Sequence, residues 1–360
     1  MSEIESGLEG VIAFATQIAE PDRDGGALRY RGVDIEELVG QVPYEQVWGL
    51  LVDDALQPGL RPAEPHGLDV HSGSTRVDVQ AALATLSAAW GFGELIDISD
   101  EQAREDLARA SAMAISFVAQ SARGRERPAV PRAEIEAARS IPESFLCAWR
   151  GEADPDHVKA IDAYWVSAAE HGMNASTFTA RVVASTGADC AAALSAAVGA
   201  LSGPLHGGAP SRVLKMLDEV EALGDAERWV KQALDRGERL MGFGHRVYRA
   251  EDPRARVLRR ISRELGSPRL EVAEALEAAA LGELHARKPD RPLATNVEFW
   301  SAVVLDHAQV PAELFTPMFV CARTAGWSAH ILEQKREGRL IRPTAKYVGE
   351  PPRPRSEVAP

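Results

Sequence analysis

At 360 residues the chain is long enough to bury a large core and to divide into more than one domain. Apolar residues at 45% and charged residues at 26% are ordinary for a globular protein, and a formal net charge of −13 excludes a global basic field that would draw it to nucleic acid or an anionic membrane. An anionic substrate must therefore be held by local arginines, against the overall charge.

The N-terminal MSEIESGLEG carries acidic residues where a secretory leader carries basic ones, and no apolar run has the length of a membrane span. Cys147, Cys190 and Cys321 are widely spaced and odd in number, so they form neither a disulfide framework nor a CxxC metal pair. The expectation is a cytoplasmic protein with reduced, core cysteines.

The first stretch is the only β region the pattern predicts: Val11 to Ile18 and Ala27 to Tyr30 flank the turn-rich 21–26 as in a short hairpin. Beyond it the apolar period is helical. Ser99 with Gln102 has the spacing of a capping box, and the segment to about Gln120 is rich in alanine, which loses no side-chain entropy in a helix. Helical patterns recur near 133–149, 155–170, 189–201, 208–221, 225–237, 269–286 and 296–308. Another long helix starts at Thr316-Pro317, a cap followed by proline at the first position, and stops at Gly338. The run 123–128 reads as a solvated loop and Glu350 to Pro360 as an extended tail. Many helices and few strands predict an all-α fold class.

Three segments place histidine or glutamate in chemically suggestive company. In Gly203-Pro204-Leu205-His206-Gly207-Gly208, glycines let backbone and ligand approach an imidazole closely, although a plain structural turn would look the same. Met241-Gly242-Phe243-Gly244-His245-Arg246-Val247-Tyr248, followed by Asp252-Pro253-Arg254, begins like a dinucleotide loop. Val247 at the third glycine position and a preceding helical segment argue against that fingerprint. A histidine among arginines suits an oxyanion held beside a carboxylate, and equally a basic surface turn. In Thr295-Asn296-Val297-Glu298-Phe299-Trp300, Glu298 fits a general base, but Thr-x-x-Glu before an apolar run is itself a capping box.

Arg323 lies in the apolar helix Met318 to Trp327, where a lone buried charge is costly, so a buried carboxylate from protein or ligand is implied. His330, seven residues on, shares its face. Arg342 sits between an apolar residue and a proline. His66, His71, His157, His285 and His307 read as solvated or capping residues, and no histidine pair has helical metal-ligand spacing, so no metal is expected.

Taken together these segments resemble the citrate synthase family, closest to its shorter bacterial forms, in the order the family shows. The likeness covers nearly the whole chain: Gly7 to Val11, Tyr30 to Leu38, His171-Gly172-Met173-Asn174-Ala175-Ser176-Thr177, both glycine-flanked histidine motifs, Asp252-Pro253-Arg254, Asn296 to Phe299, Arg323 to Trp327 and Ile341-Arg342-Pro343. The resemblance implies a homodimer, each subunit with a large domain (1–203 and 308–360) and an inserted small domain (204–307) closing over the site. It implies that oxaloacetate condenses with acetyl-CoA to citrate and CoA through an enol(ate) and citryl-CoA, an acyl transfer with no metal or permanent cofactor. His206 would bond the thioester oxygen, Glu298 would take the acyl proton, and His245 would polarise the ketone. Arg254, Arg323 and the partner subunit's Arg342 would hold the carboxylates, with His171 adding a hydrogen bond. Leu240, Met241, Gly242, Phe243 and Gly244 would lie against CoA, with Arg246 or Arg249 near its phosphates.

The chain departs from the family at Glu298, where the usual pattern is Asn-Val-Asp-Phe. The added methylene moves the carboxylate, and a shift of about 1 Å can cost roughly a hundredfold in rate unless rotamer or backbone compensates. Three alternatives remain open. A 2-methylcitrate synthase would take propionyl-CoA, one methylene larger. A non-catalytic oxaloacetate or CoA sensor would use Glu298 as a cap. A nicotinamide oxidoreductase would rest on Gly242-Phe243-Gly244 alone.

Overall fold

The computed structural model describes residues 6–358 except 9, 23, 25, 204–205, 207–209, 245–247, 249–250 and 290–292. Three short antiparallel strands, β1 (Ala19–Asp22), β2 (Ala27–Tyr30) and β3 (Val33–Asp34), open the chain. The helices follow as α1 (Ile35–Leu38), α2 (Tyr44–Asp53), α3 (Thr75–Trp90), α4 (Asp100–Arg123), α5 (Arg132–Glu136), α6 (Ile141–Arg150), α7 (Pro155–Ala168) and α8 (Ala175–Ser185). They continue as α9 (Cys190–Leu201), α10 (Pro210–Leu223), α11 (Ala226–Asp235), α12 (Pro253–Glu264), α13 (Leu270–Arg287), α14 (Val297–His307) and α15 (Phe315–Glu337). The all-α class holds.

The hairpin is shorter and later than the sequence suggests. Residues 11–16 carry no regular structure, and Ala19 rather than Val11 begins the strand that pairs with β2, Ala19 opposite Tyr30. The single helical pattern of 133–149 divides in two, because Ser140 caps a new helix by accepting the Glu143 amide (3.3 Å) and Pro142 suits only a first turn. Ser99 caps α4 by accepting the Gln102 amide (3.2 Å), whereas the Gln102 side chain turns to Asp106 instead of closing the box. α15 begins at Phe315, one residue before Thr316, and Gly338 ends it in the left-handed conformation as expected.

α15 is the axis of the fold. Its residues are buried on every side from Val320 to Leu332, as befits a helix with no solvent face. It packs against α2, α4, α7, α8 and α9. The end of α7 is stitched to β2 and α15. The Tyr30 hydroxyl lies 3.1–3.2 Å from the carbonyls of Val166, Ser167 and Glu170, and Arg323 Nε donates to Ala168 O (2.9 Å). These groups satisfy carbonyls that the helix end leaves unpaired, and they fix the direction in which the chain runs on to His171.

At the start of α2, Pro43 offers no capping side chain, and Asp162 of α7 supplies one by accepting the Tyr44 amide (2.9 Å). Burial, partly offset by that amide, raises the Asp162 carboxyl from 3.8 to about 7. Because the folded state holds this proton more tightly than the unfolded chain, the stabilisation is full below about pH 4 and is lost as pH rises toward 7. Asp162→Asn keeps the acceptor without the charge. It is expected to raise the thermal midpoint by roughly 2–4 °C at pH 8 and leave it unchanged at pH 4; an equal shift at both would contradict this account.

Candidate active site

The segment Leu240 to Gly244 is zipped onto the strand-like run before α14. Phe243 bridges Thr295, Gly244 N–H donates to Ala294 O (2.7 Å), and Asn296 N–H donates to Gly242 O (2.9 Å). Asn296 Nδ2 adds a bond to Gly244 O (2.8 Å). Gly242 has φ +86°, and a Cβ there would lie 2.8 Å from Cβ of Phe299, so only glycine allows the approach. Asn296, not Thr295, caps α14: its Oδ1 accepts the Glu298 amide (3.0 Å). The Glu298 carboxylate makes no hydrogen bond among the described residues, so it is not closing a capping box. Burial raises its pKa, with Arg254 and Arg239 partly offsetting.

Asp252 joins α14 to α12. Its Oδ1 accepts from the Arg254 amide and Nε (both 3.0 Å), and its Oδ2 accepts from Arg254 Nη2 (2.8 Å) and the Val297 amide (3.0 Å). One carboxylate thus orients the Arg254 guanidinium and the first turn of the helix that carries Glu298. Arg254 and Asp252 are both buried, and the ion pair keeps Arg254 charged against the burial that would discharge it. Tyr248, also buried, lies with its hydroxyl 3.0 Å from His171 Nε2.

Arg323 is buried and approaches the Phe319 ring (4.8 Å to the centroid), which also neighbours His206 (6.3 Å between rings). Its Nη1 is a buried donor without an acceptor among the described residues. His206 Nε2 lies 2.9 Å from Ser176 Oγ and accepts the Ser176 amide (3.4 Å). Ser176 Oγ is held in turn by Asn174 Oδ1 (2.8 Å) and Trp327 Nε1 (3.2 Å). Burial first and the charge of Arg323 second lower His206 to about 4, so the ring is neutral near pH 7. An amide can only donate, so Nε2 accepts and the single ring hydrogen sits on Nδ1. The site therefore offers one neutral imidazole donor, one half-buried carboxylate and two buried guanidiniums.

Electrostatic neighbours join these groups: Arg254 acts on Glu298 and on Arg323, Arg323 acts on His206, and Tyr248, bonded to His171, acts on Arg254. Arg342 is not among them: it is exposed on extended chain beyond α15, where Ile341 N–H binds Ser185 Oγ (3.1 Å). His245, Arg246 and Arg249 lie outside the described residues. Leu240 and Phe243 are buried, and Met241 is half-buried. Among the described residues no cluster of His, Cys, Asp and Glu could hold a metal, and no helix is long and apolar enough to cross a membrane. The sequence reading passed over the roles of Ser176, Tyr248 and Glu170. Glu170 had a legible signal, a charged residue ending the apolar run Tyr164 to Ala169.

Histidine ¹⁵N spectra test the His206 assignment. Nδ1 protonated and Nε2 bare between pH 6 and 8, with titration near pH 4, is the expected result; a doubly protonated ring at pH 6 would contradict it.

The family model "Citrate synthase, C-terminal domain" matches residues 7–344. "Putative citrate synthase 2" of Mycobacterium tuberculosis is 67% identical over 348 residues, covering 96% of this chain and 93% of that protein. The citrate synthase of Pyrobaculum aerophilum superposes with a TM-score of 0.83 at 31% identity, over 98% of this chain and 95% of its own. The Thermoplasma acidophilum citrate synthase, in a ternary complex with carboxymethyl coenzyme A and oxaloacetate, superposes with a TM-score of 0.83 at 28% identity, over 99% and 100% of the two chains. Sequence and fold agree over nearly the whole chain, and the chain belongs to the citrate synthase family.

Proposed function

We propose that this chain condenses acetyl-CoA with oxaloacetate and water to give citrate and CoA. The observation that carries the proposal is the meeting of a neutral His206 donor, a half-buried Glu298 carboxylate without a hydrogen bond among the described residues, and the two buried arginines Arg254 and Arg323.

Glu298 removes a proton from the acyl methyl group, and its raised pKa makes it a stronger base than an exposed carboxylate. The electrons move onto the thioester oxygen, where the His206 Nδ1–H stabilises the enol(ate). The enol(ate) carbon attacks the oxaloacetate ketone, whose oxygen takes a proton from His245. Water then cleaves the citryl thioester, releasing citrate and CoA thiol. Arg254 and Arg323 hold the substrate carboxylates by charge-assisted bonds, His171 adds another, and the partner subunit of a homodimer supplies a further guanidinium at the position of its own Arg342. The CoA adenine lies on the backbone of Leu240 to Gly244, with Arg246 or Arg249 near its phosphates.

The small domain of this reading, 204–307, returns to the large one where Arg150 Nη2 grips Ala308 O (2.8 Å) and Gln309 O (2.9 Å). Gln309 has φ +55°, a bend suited to a hinge. A cytoplasmic location accords with three free cysteines. The sensor reading required a capping Glu298, and Asn296 holds that role.

Release of free CoA thiol, followed with oxaloacetate and either acetyl-CoA or propionyl-CoA, tests the proposal. Oxaloacetate-dependent release with preference for acetyl-CoA is expected, and Glu298→Gln is expected to lower kcat by about 10²–10⁴-fold. Preference for propionyl-CoA would make the protein a 2-methylcitrate synthase, and no release with either thioester would overturn the enzyme reading. The base acts only when ionised, so kcat/KM should fall on the acid side with a midpoint above the ordinary glutamate range.

A further inference from the structure

Arg323 and Glu170 are opposite charges buried side by side without touching. Glu170 is fully buried, and its Oε1 accepts from His330 Nε2 (3.3 Å). Among the described residues its Oε2 has no hydrogen-bond partner, and neither has Arg323 Nη1. The two residues form no direct ion pair, yet Glu170 is the foremost charge acting on Arg323, and Arg323 acts on Glu170 after His330. Burial opposes ionisation of Glu170, while His330, through the hydrogen it donates, and then Arg323 favour it, and the carboxyl is held below its ordinary pKa.

What holds Glu170 back is a second buried chain. Arg181 Nη1 lies 3.1 Å from His330 Nδ1. A guanidinium can only donate, so Nδ1 accepts and Nε2 carries the hydrogen given to Glu170. Arg181 is fixed in turn by Gln334 (3.0 Å), Glu333 (2.5 Å) and Glu337 (3.0 Å). On the other side Gly326 leaves room for the carboxylate: a Cβ there would lie 2.0 Å from Glu170 Oε2.

We propose that Glu170 is a positioning residue for substrate binding, a standing counter-ion that His330 and Arg181 hold out of hydrogen-bond contact with Arg323. This rests on the oxaloacetate reading above. A buried guanidinium with no counter-charge would be strongly destabilising, whereas one bonded directly to a carboxylate would have that donor occupied. The arrangement avoids both. Arg323 keeps its charge and orientation, through Nε on Ala168 O, while Nη1 remains for a substrate carboxylate. Arg254, by contrast, takes its counter-ion Asp252 in a direct two-point contact.

Two measurements on the full-length protein test this. The first is urea unfolding, without ligand, of wild type, Glu170→Gln, Arg323→Met and the double variant. Glu170→Gln should lower the midpoint in the wild-type background and lower it little or not at all beside Arg323→Met; equal losses in both backgrounds would overturn the proposal. Should Glu170→Gln fail to fold alone, its recovery by Arg323→Met is the expected result, and no recovery would overturn the proposal. The second is calorimetric titration with oxaloacetate. Because the anion opposing the substrate is gone but the shape is kept, Glu170→Gln should bind about fivefold more tightly, although it is less stable without ligand. A purely structural role for Glu170 predicts weaker binding, and that result would overturn the proposal. If wild type binds no oxaloacetate, the functional reading fails, and the unfolding comparison still decides whether Glu170 is the counter-ion of Arg323.

Discussion

The Asp252 carboxylate accepts N–H groups from two helices at once, the backbone and guanidinium of Arg254 on α12 and the Val297 amide that opens α14. A buried anion must be paired and hydrogen-bonded to be tolerated, and this one meets that demand by gathering Arg254 and the helix that carries Glu298 around itself. The zipper between Gly242-Phe243-Gly244 and Ala294-Thr295-Asn296 then fixes the rest of the approach to Glu298. Removing the charge at 252 would therefore disturb two functions together.

The electrostatics of the site run against those of the molecule. The chain carries a formal charge of −13, yet the site concentrates Arg254 and Arg323 in its interior. Each is made tolerable by a different device, a direct ion pair for Arg254 and a withheld carboxylate for Arg323. The same positive field, with burial, keeps His206 neutral, which suits a hydrogen-bond donor to a developing oxyanion better than a source of a full proton. Low dielectric strengthens all of these interactions, and it also makes each unpaired group costly.

Much of this was legible in the chain. Arg323 amid Met318 to Trp327 announced a buried charge needing an anion, and the glycine-flanked histidines announced close approach. The helix stops at Gly338 and the cap at Ser99 followed from local chemistry, which is why they were placed correctly. Several helices were not legible. In α8 the run Ser176-Thr177-Phe178-Thr179 has strand-like residues, and tertiary packing, not propensity, makes that segment helical. α12 was missed as well, although Val257, Leu258 and Ile261 mark a helical apolar face among its arginines. The cap at Asn296 rather than Thr295 turned on one residue, and only the zipper to Gly244 decides it. The partners of Ser176, Tyr248 and Glu170 come from segments distant in sequence, so no local pattern could reveal them.

The most direct test of the shared-carboxylate account is the kinetics of Asp252→Asn with both substrates varied. An amide presents one acceptor and one donor, so it sets N–H against the Arg254 amide and Nε in one orientation and against Arg254 Nη2 and the Val297 amide in the other. The account predicts that the KM for oxaloacetate rises while kcat falls, because the arginine and the helix of the base are displaced together. A change confined to KM, with kcat retained, would show that Asp252 serves Arg254 alone and would contradict it.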